Sequence, residues 1–212
     1  MIKKIAVGMA VAAAMAAGSA SAQWYGGANL GQSKTNYDSA RVAADLAAVG
    51  RTGTGAVSNS DLGLKLFAGY TINDNVALEG GYFNVGRFAT TNGTITAPTA
   101  ATFNGKIEGQ GVNMDVVGTL RGGPATGFSM IGRLGLAYFQ TKATTSVSAG
   151  TLTGYGNATS NKFVPEIGLG LQYDFTKTIA GRREVQRYMK VGNSNTGSAD
   201  VDLYSAGIVY KF

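Results

Sequence analysis

The chain has 212 residues with 32 glycines, no cysteine and no histidine, and its 18 basic and 12 acidic residues give a formal net charge of +6. The missing residue types exclude disulfide scaffolds, thiolate zinc sites and catalysis by an imidazole. The charge is too small to predict nucleic-acid binding, and no apolar run beyond the N-terminus reaches the roughly 18 residues of a membrane-spanning helix.

Residues 1–22 have the pattern of an export signal. Lys3 and Lys4 precede an apolar stretch over residues 5–17, and the small residues 20–22 follow it. This arrangement predicts export and cleavage after Ala22. We expect the remaining residues, 23–212, to form one domain, because no linker-like segment divides them.

Eight segments of the exported chain alternate between apolar and small or polar residues, which is typical of β-strands with one apolar face. The alternation is clearest over residues 166–175, where each odd residue is apolar and each even residue is Gly, Gln or acidic. In chain order, the eight predicted strands cover residues 23–33, 61–72, 76–87, 111–121, 128–141, 166–175, 180–189 and 203–212.

The connections between the predicted strands alternate in length. Three are short turns and four are long, which is typical of an up-and-down antiparallel barrel with one elaborated end. The long connections are residues 34–60, 88–105, 142–161 and 190–198. We expect residues 88–105 and 142–161 to form mobile loops because they are low-complexity Thr, Ala, Gly and Ser tracts. Residues 39–49 have a spacing that fits either a short helix or an Ala-rich coil.

Alternation alone leaves open whether the apolar face points inward, as in a soluble lipocalin-like barrel, or outward, as in an outer-membrane barrel. Aromatic residues at the strand ends favour the membrane barrel, and so does an opposite face rich in glycine and charge. The aromatic residues are Trp24, Tyr70, Tyr82, Tyr138, Tyr173, Phe175, Tyr204, Tyr210 and Phe212. The sequence therefore predicts an all-β, eight-stranded antiparallel transmembrane barrel in the outer membrane, with short periplasmic turns and long extracellular loops.

The inward face of such a barrel carries five basic and five acidic residues. Desolvated charges are costly unless they are paired, so we predict an interior ion-pair network rather than a wide channel. Its members are Lys65, Glu79, Asp115, Arg121, Arg133, Glu166, Asp174, Arg182, Glu184 and Lys211. The same register puts Arg183 and Arg187 on the lipid face, where we expect both to extend toward headgroups or the register to slip.

Several short motifs follow one another in a fairly specific order. They are the run 24–28, Gly69-Tyr70, Glu79-x-Gly81-Tyr82, Arg133-Leu134-Gly135, the run 165–173 and the ending Tyr210-Lys211-Phe212. Together they resemble the OmpA-type eight-stranded outer-membrane barrels. The resemblance implies an interior pair between Glu79 and Arg182, whereas a second pair of the family would fall on Val117 and Gln172, which cannot form it. The alternating Ile208, Tyr210 and Phe212 resemble the C-terminal signal that the barrel assembly machinery reads.

These observations predict a structural and surface-interaction protein whose loops face the exterior and contact an extracellular ligand. Its expected partners are outer-membrane lipid, lipopolysaccharide and the barrel assembly machinery, and no cofactor, metal or nucleic acid is implied. The alternative is a low-conductance gated pore for small solutes or ions. An enzyme is not expected, because the small outer-membrane barrels that are enzymes rely on histidine. The cell-wall domain appended in the best-known members is not expected either.

Overall fold

A computed structural model describes residues 23–36, 39–122, 127–193 and 197–212. The predicted signal segment and its cleavage site at Ala22 therefore lie outside the described residues. The elements are β1 (Trp24–Thr35), α1 (Ser39–Ala48), β2 (Thr52–Ser58), β3 (Ser60–Asn73), β4 (Val76–Ala97), β5 (Ala101–Arg121), β6 (Phe128–Ala149), β7 (Leu152–Asp174), β8 (Ile179–Asn193) and β9 (Gly197–Lys211). Within these residues, no helix has the length and apolar content needed to cross a membrane.

Eight of the strands form a closed antiparallel ring, which confirms the predicted barrel. Its order is β1, β3, β4, β5, β6, β7, β8 and β9, and β9 pairs with β1 from Tyr25↔Lys211 to Thr35↔Val201. β2 lies outside the ring and pairs with the last part of β4, from Thr52↔Ala97 to Ser58↔Thr90. We call the end with the short turns and both Trp24 and Phe212 the turn end, and the opposite end the hairpin end.

The strands of one side continue well beyond the ring at the hairpin end. β5 and β6 remain paired up to Thr102↔Ser148, and β6 and β7 up to Ala149↔Leu152. β7 pairs with β8 only over residues 166–174, so among the described strands its first half pairs on one side alone, with β6. Residues 52–58, 89–97, 101–107, 142–149 and 152–161 thus form a five-stranded sheet that we call the raised sheet.

The raised sheet corrects the prediction of mobile loops over residues 88–105 and 142–161. These Thr-rich tracts are strands, because β-branched threonine favours extended backbone and each tract finds a partner of equal length. The helical alternative for residues 39–49 is the one the structure forms, as α1. Val42 of α1 is buried against the sheet, where an added Cβ at Gly55 would contact it.

The predicted register of β8 is present, so the alternative of a slipped register is wrong. Arg182 and Glu184 are buried in the interior, whereas Arg183 and Arg187 are exposed on the outer wall. The guanidinium of Arg187 donates to both carboxylate oxygens of Asp202 on β9, at 2.7 and 2.8 Å. Pairing with a neighbouring strand accommodates this outward charge near the hairpin end.

Candidate functional site in the barrel interior

Arg133 on β6 is the hub of a buried cluster of charges. Its Nη1 lies 2.8 Å from Asp115 Oδ2, and its Nη2 lies 3.0 Å from Glu79 Oε2 and 2.5 Å from Glu184 Oε1. Arg182 Nη1 lies 2.5 Å from Glu79 Oε1 and 3.4 Å from Glu184 Oε1. None of these side chains is more than 4% exposed. β4, β5, β6 and β8 thus meet across the lumen through two guanidinium groups.

Lys65 and Glu166 extend this cluster through amide side chains. Lys65 Nζ donates to Gln186 Oε1 at 3.0 Å and lies 3.8 Å from Glu184 Oε2. Asn113 Nδ2 donates both to Asp115 Oδ2 at 2.8 Å and to Glu166 Oε1 at 2.7 Å. We call the whole set the ion layer; it consists of Lys65, Glu79, Asn113, Asp115, Arg133, Glu166, Arg182, Glu184 and Gln186.

The other three predicted network residues lie at the turn end. Lys211 Nζ contacts Asp174 Oδ2 at 2.7 Å, and both side chains are about one third exposed. Gln172 connects this pair to the ion layer, because its Nε2 donates to Asp174 Oδ1 and its Oε1 accepts from Arg182 Nε, each at 3.0 Å. Arg121 is exposed, and the structure does not bring it into the network. Gln172 thus has a linking role that sequence reasoning missed.

A second layer, which sequence reasoning also missed, lies between the ion layer and the hairpin end. Phe83 stacks on Tyr188 with ring centroids 4.5 Å apart, and Phe139 lies 5.1 Å from Phe83 and 5.6 Å from Tyr188. We call this set the apolar layer; it consists of Phe83, Val85, Phe88, Ala89, Ala137, Phe139, Val164, Tyr188, Val191, Val201 and Leu203. Its members are at most 3% exposed, although the lumen-facing side of these strands also carries the buried charges.

The alternation of residues along β4 and β8 contains a signal that could have predicted the apolar layer. Phe83 is four residues beyond Glu79 on β4, and Tyr188 is four residues beyond Glu184 on β8. Even separations put residues of one strand on the same face. The inward face therefore changes from charged to aromatic partway along these strands, and that change is visible once the face is known.

On its other side, the ion layer borders a cavity that opens at the turn end. The cavity measures about 290 Å³, and its lining includes Thr71, Arg121, Gln172, Asp174 and Arg182. Arg182 also lies over the ring of Phe67, 4.9 Å from its centroid. The two ends of the lumen therefore differ: a polar cavity reaches Arg182 from the turn end, whereas packed aromatic rings cover the charges toward the hairpin end.

The outer wall carries aromatic residues near both ends and exposed aliphatic residues between them. The turn-end girdle consists of Trp24, Tyr70, Phe128, Tyr173, Phe175, Tyr210 and Phe212, and the hairpin-end girdle of Tyr82, Tyr138, Phe163 and Tyr204. Ile208 and Tyr210 are 62% and 49% exposed, and Phe212 N–H donates to Trp24 O at 3.0 Å. An apolar band between aromatic girdles is typical of a barrel that faces lipid.

The described residues contain no cluster of His, Cys, Asp or Glu arranged to hold a metal ion. The buried carboxylates of the ion layer bind guanidinium or amide groups of the chain. Glu166 and Asp174, which share the inward face of β7, lie in different surroundings, one in the ion layer and the other at the turn end. The three cations of the ion layer face four carboxylates, and Glu166 accepts from the amide of Asn113 rather than pairing with a cation.

Comparison with known proteins agrees with this geometry. The family model for the OmpA-like transmembrane domain matches residues 19–212. The chain is 30% identical over 219 residues to outer membrane protein A of Salmonella typhi, and 29% identical over 218 residues to that of Yersinia pseudotuberculosis. Both matches cover 100% of this chain and 56% of the relative, so the chain spans about half the length of these relatives.

Two solved structures have a similar fold at low sequence identity. Neisserial surface protein A aligns with a TM-score of 0.51 and 16% identity over 92% of this chain and 100% of its own. The outer membrane protein OprG of Pseudomonas aeruginosa aligns with a TM-score of 0.51 and 13% identity over 90% of this chain and 96% of its own. The chain therefore belongs to the family of OmpA-like transmembrane domains and is a β-barrel of the outer membrane.

Proposed function

We propose that this barrel is an anchor with a closed lumen, and that it presents the raised sheet for contacts at the cell surface. In this proposal the hairpin end faces the exterior and the turn end faces the periplasm. Outer-membrane lipid surrounds the wall, and the barrel assembly machinery recognises the C-terminal Ile208, Tyr210 and Phe212. No catalytic role is proposed.

The observation that carries the proposal is the double filling of the lumen. The ion layer ties four strands together, and the apolar layer covers it with rings packed at 4.5–5.6 Å. A solute crossing the barrel would have to separate buried charges from their partners and also part these rings. Both steps are costly, because a buried charge without a partner and a void among packed rings are each unfavourable.

The raised sheet supports a role outside the membrane. It ends in the hairpin between β6 and β7, whose tip exposes 77% of Leu152 and 79% of Tyr155. The half of β7 beyond the ring, residues 152–165, pairs with β6 but with no other described strand. An unpaired strand edge and exposed large side chains are features to which a protein partner binds by strand addition.

A hairpin-shortened variant tests the proposal. Residues 145–156 are replaced by Asn-Gly between Thr144 and Asn157, which are register partners, so that a two-residue turn closes the shortened hairpin. Cells that carry the full chain, the shortened chain or an empty vector are compared for settling by cell–cell aggregation and for adhesion to a cultured epithelial monolayer. A Leu152→Ser, Tyr155→Ser variant of full length serves as a matched control for the side chains alone.

We expect the full chain to increase aggregation or adhesion over empty-vector cells, and the shortened chain to lose that increase while its barrel still resists cold SDS. Equal adhesion by full and shortened chains would contradict the role of the β6–β7 hairpin of the raised sheet. No increase with the full chain in either assay would contradict the surface role itself.

The alternative function, a low-conductance gated pore, has one feature in its favour. The cavity of about 290 Å³ gives an approach from the turn end as far as Arg182. This alternative requires the apolar layer to open, and single-channel recording in planar bilayers separates the two functions.

A further inference from the structure

The ion layer holds one carboxyl group more than it holds cations. Its cations are Lys65, Arg133 and Arg182, and its carboxyl groups are Glu79, Asp115, Glu166 and Glu184. The salt bridges of these cations go to Glu79, Asp115 or Glu184. Glu166 is 0% exposed and accepts a hydrogen bond from the neutral amide of Asn113. A charge on Glu166 would therefore be buried without a salt bridge.

The other charges of the ion layer already balance one another. The charged groups around Glu166 are Lys65 on β3, Glu79 on β4, Asp115 on β5, Arg133 on β6, and Arg182 and Glu184 on β8. They are three cations and three carboxylates, and Lys211 and Asp174 at the turn end neutralise each other. An ionised Glu166 would thus leave the layer with a net negative charge. A buried charge without a partner is strongly unfavourable, whereas a neutral carboxylic acid needs only hydrogen bonds.

Glu166 also adjoins a second acidic group, the carboxylate of Asp115. Asn113 Nδ2 donates to Glu166 Oε1 at 2.7 Å and to Asp115 Oδ2 at 2.8 Å, so one amide nitrogen brings the two groups together. The remaining oxygen of each group, Glu166 Oε2 and Asp115 Oδ1, is buried and has no hydrogen-bond partner among the described residues. A proton on Glu166 would supply the missing donor, because a neutral carboxylic acid donates one hydrogen bond.

Tyr188 closes the site toward the hairpin end. It is the register partner of Glu166 on β8, it is 0% exposed, and its ring stacks on Phe83 with centroids 4.5 Å apart. Its hydroxyl is buried as well and lacks a hydrogen-bond partner in the described part of the chain. Water from this side therefore does not solvate a charge on Glu166.

We propose that Glu166 is a proton-binding site. In the folded barrel Glu166 is a neutral carboxylic acid whose O–H donates to the carboxylate of Asp115, and the bound proton makes the ion layer neutral. Two desolvated carboxyl groups that share one proton avoid placing like charges side by side. The proposal does not depend on what the raised sheet binds.

The bound proton makes the stability of the barrel depend on pH. A solvated glutamate is ionised above about pH 5, so the unfolded chain has lost the proton that the folded barrel retains. Unfolding then releases one proton, and this release raises the unfolding equilibrium constant about tenfold for each pH unit until the folded site also ionises. The barrel is therefore expected to lose stability as the pH rises.

Infrared spectroscopy tests for the proton directly. The refolded full chain is measured at neutral pH in an alkyl maltoside detergent, which has no carbonyl group of its own. A protonated carboxyl group is detected by its C=O stretch. We expect one such band, which shifts when glutamate is labelled with carbon-13 and does not shift when aspartate is labelled. No band, or a band that moves with labelled aspartate, would overturn the proposal without any variant.

Variants assign the band to Glu166. Glu166→Gln is expected to remove it, because a glutamine amide replaces the neutral acid. Glu108→Gln, the same change at an exposed position of β5, is the matched control and keeps the band. A band that persists in Glu166→Gln, while the barrel remains heat-modifiable, would overturn the assignment.

Urea unfolding at a series of pH values tests the consequence for stability. Between about pH 6 and pH 8, the unfolding constant of the unmodified chain should rise about tenfold for each pH unit relative to that of Glu166→Gln. Glu108→Gln should follow the unmodified chain. At neutral pH, Glu166→Gln should be at least as stable as the unmodified chain, whereas Glu79→Gln, which removes a carboxylate bound by two guanidinium groups, should be less stable. Parallel pH dependence of Glu166→Gln and the unmodified chain, or equal losses from the Glu166 and Glu79 variants, would overturn the proposal.

Discussion

The ion layer and the apolar layer lie in the same lumen and are held together by opposite means. In the ion layer, each carboxylate meets a guanidinium, ammonium or amide donor, so its stability depends on every partner being present. In the apolar layer, Phe83, Phe139 and Tyr188 pack without direction, and their stability depends on volume. A narrow barrel can therefore fix its register with charges and exclude water with aromatic rings four residues further along the same strands.

The largest expected effect comes from removing the hub of the ion layer. Arg133→Ala leaves Glu79, Asp115 and Glu184 without their shared partner, which lowers the free energy of unfolding by about 4 kcal/mol. The measurement is urea unfolding of the barrel in lipid vesicles, followed by the fluorescence of Trp24, the chain's single tryptophan. A loss below about 1 kcal/mol would mean that the charges contribute little net stability.

The matching change in the apolar layer is Phe83→Ala. It opens a void between Phe139 and Tyr188, and we expect a loss of about 3 kcal/mol. Phe83→Leu keeps most of the volume and should lose less than about 1.5 kcal/mol in the same titration. If Phe83→Leu lowers the free energy of unfolding as much as Phe83→Ala does, aromatic geometry rather than volume stabilises this layer.

A double-mutant cycle measures the coupling between two members of the ion layer. Arg182→Ala leaves Glu79 with one guanidinium partner fewer. Adding Glu79→Ala to the same chain removes the carboxylate that lost this partner. We expect the double variant to recover about 1–2 kcal/mol relative to the sum of the single losses. Strictly additive losses would show that these two side chains do not interact.

The smallest effect is expected on the outer wall. Arg187→Ala removes a pair with Asp202 of good geometry, but Arg187 is 53% exposed, so the loss should lie between about 0 and 1 kcal/mol. This variant also serves as the control for Arg133→Ala. Both variants remove a paired arginine from a barrel strand, but Arg133 is buried in the lumen and Arg187 is exposed on the outer wall. Comparable losses from the two variants would remove the distinction between buried and exposed pairs.

Much of the fold follows from the sequence because a β-barrel repeats one rule, the alternation of two faces. The eight ring strands are readable from that rule, and the inward position of Arg182 follows once the aromatic strand ends assign the apolar face to lipid. The length of the strands cannot be read from that rule, because residues 88–105 and 142–161 have the composition of loops. These tracts are strands because each one pairs with a neighbouring strand.

The interior contacts are harder to predict than the interior residues. Alternation assigns Arg121 and Arg133 to the same face, but it does not show that Arg121 lies at the exposed rim while Arg133 lies at the centre. The apolar layer was missed because Phe83 and Tyr188 lie on a face dominated by glycine and charge. The use of Gln172 as a link to Arg182 depends on distances across two strands, which one sequence does not contain.

The most direct test of the closed lumen is single-channel recording of the unmodified chain in planar bilayers. Protein refolded from inclusion bodies is used, so that porins of the host membrane do not contaminate the preparation. For the proposed closed lumen we expect no discrete openings above the bare-bilayer background. Recurrent openings of one conductance from the unmodified chain would contradict the proposal and establish the pore instead.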